Sequence, residues 1–103
     1  MLEFLYTVKP TRLAMVTEGP TEEESAVLAQ HAAYLGGLAE RGVVEFAGRT
    51  TNGDETTFGL VVFEAESDAA ARRIMLEDPA VRHGVMTASL FPYRVAFRAG
   101  PSN

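Results

Sequence analysis

The sequence predicts an α+β fold of the ferredoxin-like kind, an antiparallel sheet carrying two helices on one face. Apolar residues switch between a period of two and a period of 3.6 in the order β-α-β-β-α-β. The run from Phe58 to Ala65 is apolar on both of its faces, so both must be covered. Between the second and third strands lies Asn52-Gly53, a dipeptide that favours a tight turn.

Each element has its own signal. Leu2 to Lys9 alternates, with Phe4, Tyr6 and Val8 on one face, and Pro10 ends the strand. In residues 11–19, Leu13 to Val16 are compatible with extended chain, but Pro10 and Gly19-Pro20 favour a loop covering the sheet. Thr21 opens a helix, with Glu24 completing a capping box and Glu22 and Glu23 matching the helix dipole. Leu28, Ala32, Leu35, Leu38 and Ala39 keep the helical period, and Gly42 suits the position just beyond the C-terminus. Val43–Ala47 reads as a second strand and Gly48–Thr57 as a polar connection. In the third strand, Phe58, Leu60 and Val62 point one way while Val61 and Phe63 point the other. Ser67 and Asp68 cap a second helix that runs to about Glu77. Residues 86–97 form the last strand, placed at an edge or a bulge by Pro92. Residues 1–99 are expected to form one domain, followed by a frayed tail, 100–103.

Composition narrows the function. With 103 residues, 47% of them hydrophobic, the chain can bury a core without staples. Net charge is −5 and the nine Lys and Arg residues are scattered, which argues against nucleic acid and against an anionic membrane surface. Cysteine is absent, so disulfides, thiolate nucleophiles and zinc–thiolate sites are excluded. No signal-peptide pattern and no bilayer-length apolar run is evident, and a soluble cytoplasmic protein is expected. No Gly-rich phosphate loop opens a helix, so no nucleotide cofactor is expected.

Right-handed crossovers place both helices on one sheet face and leave the other bare. Because the third strand is apolar there too, a homodimer joined through that face is expected.

Two residues stand out against the apolar stripes. His31 lies between Leu28 and Leu35, near the centre of the first helix's buried face. Asp78 is in phase with Ala70, Ala71, Ile74 and Met75, and Pro79 follows it at once. A carboxylate near a helix C-terminus opposes the macrodipole and costs stability unless something offsets it. Together they suggest a His–Asp pair lining a pocket. The bland alternatives are a core histidine bonded to a carbonyl and an Asp-Pro turn that caps the next segment.

An ordered set of residues resembles the YciI-like (YCII-related) family. The set comprises His31 with Leu35, Leu38 and Gly42, then Ala47-Gly48, then the strand Gly59–Ala65. Asp78-Pro79 with Val81 and Gly84, and the closing Phe91-Pro92-Tyr93, complete it. The resemblance implies a dimeric α+β barrel related to muconolactone isomerases, with His31 and Asp78 as the active-site pair. Arg49 departs from the commonest family form, in which a proline often follows the Ala-Gly.

A histidine can act as general base or acid near neutral pH, and an aspartate can hold its tautomer and stabilise the imidazolium. Arg49 and Arg12 are candidates for clamping an anionic substrate group, and Tyr34 and Tyr6 for hydrogen-bonding into the pocket. His83 sits in a turn and is expected to be exposed. A metal needs at least three converging ligands and only His31 and Asp78 are placed to meet, so none is expected. Two functions from different classes stand. One is a cofactor-independent enzyme moving a proton on a small cyclic or unsaturated acid, by isomerisation, elimination or lactone chemistry. The other is a non-catalytic dimeric domain that binds a small molecule.

Overall fold

The structure is a computed structural model and describes residues 1–100; the expected tail, beyond Gly100, lies outside the described residues. Four strands form one antiparallel sheet in the order β2-β3-β1-β4. They are β1 (Leu2–Pro10), β2 (Val44–Arg49), β3 (Gly59–Ala65) and β4 (Met86–Pro92). The long helix α2 (Glu22–Glu40) follows β1, and α3 (Asp68–Glu77) follows β3. Both pack on the face that carries Phe4, Tyr6, Val8, Val61 and Phe63, which is the ferredoxin-like arrangement. Tyr34 and Leu35 from α2 and Ala70 and Ile74 from α3 close the core over that face. The Tyr6 and Phe63 rings meet edge to face at 5.6 Å. No helix among the described residues is long and apolar enough to cross a membrane.

Helix α2 begins as its sequence requires. Thr21 accepts from the Glu24 N–H, and the Glu24 carboxylate accepts from the Thr21 N–H. Gly42 takes a φ of 76° just beyond its end, a conformation that glycine adopts without strain. The Ser67 hydroxyl, rather than Asp68, caps α3 by accepting from the Ala70 N–H.

Four local features differ from expectation. Residues 14–17 form a short helix, α1, rather than loop, because once Pro10 ends β1 the chain closes its own hydrogen bonds from Met15 to Glu18. Its Met15 is buried. Strand β2 continues to Arg49, with an irregularity between Val44 and Phe46 that leaves Glu45 without a partner in the β3 register. A further helical turn, α4 (Pro79–Arg82), follows α3 directly. Strand β4 stops at Pro92, whose ring nitrogen cannot donate to a ladder.

Beyond β4 the chain crosses the outer face of the sheet. Tyr93 and Val95 donate to Glu3, and Arg98 reaches Glu45 at 2.6 Å. Next to this crossing, Phe91, Leu5, Val62 and Phe46 lie in register as one apolar row across all four strands.

Candidate active site

Asp78 is where α3 stops and α4 starts. Its ψ of 121° takes the backbone out of the helix, and Pro79 begins the next turn with a φ already suited to it. The Asp78 Oδ1 atom caps that turn by accepting from the Ala80 N–H at 3.0 Å. The carboxylate is therefore not simply at odds with the dipole of α3, because it serves the start of α4. The turn-forming role and the inward orientation coexist in one residue.

The side chain is fully buried, and two more donors converge on it. The Tyr6 hydroxyl donates to Oδ2 at 2.7 Å, and His31 Nδ1 lies 2.7 Å from Oδ1. Each oxygen is thus engaged, which is the condition for a buried carboxylate to be tolerated. Burial first, and then the charge of Asp78, push the Tyr6 phenol far above its ordinary value, so it remains a donor. His31 reaches Asp78 from the inner stripe of α2, and 17% of its side chain stays exposed. In a neutral imidazole, an Nδ1–H donated to Asp78 would leave the lone pair on Nε2.

His31 lines a cavity of about 790 Å³ between α1, α2, the ends of β2 and β3, and the loop at 50–58. Met15, Val16, Leu28 and Leu35 make one wall; Arg49, Thr50, Asn52 and Phe58 stand among the residues of the other. The volume falls within the range of small-molecule binding sites.

Of the four residues expected to contact substrate, only Arg49 lines this cavity. Tyr6 lies behind the pair, fully buried, and supports Asp78 instead of facing a ligand. Tyr34 donates to the Ile74 carbonyl at 2.7 Å. Ending α3 at Asp78 sends the Asp78 N–H to Met75, which frees the Ile74 carbonyl for that bond. Burial, with the charges of Glu77 and Asp78, pushes the Tyr34 phenol up to about 12. Arg12 is turned to Glu24 through Nε at 3.0 Å and a second bond from Nη2. His83 is exposed. Among the described residues no group of three or more His, Asp or Glu side chains is placed to hold a metal.

In the polar connection 48–57 the sequence offers only Arg49 as a candidate, yet Gly48 to Gly53 and Thr57 line the cavity. Residues of α1 were likewise not expected there. Neither segment carries a periodic pattern that would have placed it.

One solved structure with this fold is 5-chloro-2-hydroxyhydroquinone dehydrochlorinase from Burkholderia phenoliruptrix AC1100, in complex with 2,5-dihydroxybenzoquinone. The two share 21% identity and a TM-score of 0.67 over 90% of this chain and 94% of that one. No curated protein matches the sequence. The model of the YCII-related domain matches residues 4–91, most of the sheet and both long helices, and the chain belongs to that family.

Proposed function

We propose that the chain is a cofactor-independent enzyme in which His31 moves a proton on a small cyclic or unsaturated molecule held in the cavity. One observation carries the reading: His31 is bonded through Nδ1 to a fully buried carboxylate while its ring lines the cavity. Nε2 then takes a proton from the substrate, and Asp78 stabilises the resulting imidazolium. The electron pair left behind moves into the unsaturated system or expels a leaving group. His31 returns the proton to a different atom of the product in an isomerisation, or to solvent after an elimination. The dehydrochlorinase of the same fold is a precedent for elimination on an oxygenated ring.

The test is a turnover screen over small cyclic and unsaturated acids and hydroxylated rings. His31→Ala is expected to fold and to abolish any activity found, and Asp78→Asn to lower it through kcat. Activity that survives His31→Ala rules the proposal out. A second reading, a domain that only binds, is favoured by the apolar character of much of the wall. It predicts ligand retention without turnover.

The proposal includes a homodimer. The apolar row Phe91–Leu5–Val62–Phe46 crosses the sheet opposite the helices, and Phe46 and Phe91 are exposed on it. Packing that row against its copy would bury it.

A further inference from the structure

We propose that the cavity selects a carboxylate, and that Arg49 is the residue that recognises it. The inference rests on the reading of the cavity as the substrate site, and it adds the substrate's charge. Among the residues lining the cavity, His31 and Arg49 are the only titratable ones, and none is Asp or Glu. The chain as a whole has fourteen acidic residues against nine Lys and Arg. The nearby Asp78 carboxylate lies behind His31 and is held by Tyr6, His31 and the Ala80 N–H. The charge that the wall itself presents is therefore the guanidinium, which favours an anion over a cation.

The position of Arg49 supports this role. It ends β2 opposite Gly59 of β3, on the sheet face that also bears Val8 and Val61 and over which α2 packs. Arg12 and Arg98 are each engaged by a carboxylate, Glu24 and Glu45 respectively. Arg49 has no hydrogen bond or ion pair with any side chain among the described residues. Glu18 and Glu55 flank lining segments but do not line the cavity, and two other nearby acids are occupied. Glu24 is held by Arg12 and Thr21, and Asp54 accepts from Asn52 and Thr56. Position 59 adds a steric condition. A Cβ there would stand 3.0 Å from Val8 Cγ2 and 3.8 Å from Arg49 Cβ, so glycine keeps the floor beside the arginine open.

A guanidinium offers two parallel N–H donors to two carboxylate oxygens, and that fork fixes direction as well as charge. A ligand anchored so at Arg49 is held at one end, leaving its apolar body against Leu28 and Leu35 and within the cavity that His31 lines. The inferred substrate class is a small ring or unsaturated chain bearing one carboxylate.

The test measures binding without turnover, by calorimetry and by amide shifts of Gly48, Arg49 and Gly59. Its probes are benzoate, cyclohexanecarboxylate and sorbate, each beside its neutral primary amide. At least one acid is expected to bind wild type about tenfold or more tightly than its amide, and to weaken as salt rises. Arg49→Gln should remove that preference while leaving amide binding unchanged, and Arg49→Lys should restore part of it. Thermal melts of both variants check folding, and an exposed residue at a strand end should alter them little. The proposal is overturned if no acid outbinds its amide, or if Arg49→Gln keeps the preference. His31→Ala separates the two readings: loss of turnover with carboxylate binding retained supports both. Turnover that persists in His31→Ala removes the proton-transfer reading and leaves the carboxylate site standing.

Discussion

Asp78 concentrates more structural consequence than any other side chain in the protein. Three donors from three separate elements end on it: Tyr6 from β1, His31 from α2 and the Ala80 N–H from α4. Asp78→Ala is expected to cost about 2–5 kcal/mol, because a buried hydroxyl and a buried N–H lose their acceptor and a void is left. Tyr6→Phe removes one of these bonds at full burial and should cost about 1–3 kcal/mol. His31→Ala should cost less than either, since its side chain reaches the cavity and water can take its place beside Asp78. Urea or thermal denaturation of the three variants tests this order. A His31→Ala loss larger than that of Asp78→Ala would mean that the imidazole serves the scaffold.

At the scale of the element, the start of α2 is tied to the loop before α1. Glu24 accepts from Thr21 in the capping box and from Arg12 across the chain. Arg12 first, and then the Thr21 N–H, lower its carboxyl from an ordinary 4.5 to about 2. A carboxyl lowered on folding stabilises the fold fully above its unfolded value and stops doing so as pH falls through its folded value. Wild type should therefore melt above Glu24→Gln at pH 6, with the gap narrowing below pH 4.5 and closing near pH 2. A gap that stays constant down to that pH would show that the charge is not the source. Strand β3 offers a second test. At Gly59 an added methyl meets Val8 at 3.0 Å and the Gly48 carbonyl oxygen at 3.2 Å, so both neighbours must give way slightly. Gly59→Ala should cost about 1–3 kcal/mol by overpacking, measured by denaturant titration.

For the whole molecule, the two faces of the sheet have different fates. The inner face is closed by α2 and α3, and among the described residues the outer one has only the chain beyond β4 across it. On that outer face Glu3 and Glu64 sit directly opposite each other; the hydrogen bond and charge of Glu45, and then the charges of Glu3 and Glu64, hold the Arg98 guanidinium above its ordinary value. The neighbouring apolar row ends in exposed Phe46 and Phe91. Light scattering at micromolar concentration is expected to give the mass of two chains. Phe46→Glu should shift the protein to monomer and lower its solubility, because the remainder of the row would then be wet. A monomeric wild type would remove the proposed interface.

Local sequence was enough for the order of the four strands and two long helices, the capping box of α2, the glycine stop at Gly42 and the inward phase of His31 and Asp78. All of these depend on residues a few positions apart, where helical and strand periods and capping chemistry act. Even α4 had a local signal, since Asp78 followed by Pro79 is a cap followed by a first-turn proline. What the tertiary structure decided is which long side chain meets which partner. Tyr6 and Asp78 are 72 residues apart, and His31 and Asp78 are 47 apart. Tyr6 on a buried strand face reads equally well as a pocket residue or as the support behind Asp78. The strand register and the angle of α3 choose between them. Arg12 and Arg49 look alike in the sequence, yet one is bonded to Glu24 and the other lines the cavity. That difference comes from the turn of α1 and the extension of β2 past its irregularity at Glu45. The turn of α1 closes on local hydrogen bonds without a periodic pattern to announce it, and the extension of β2 depends on its pairing with β3.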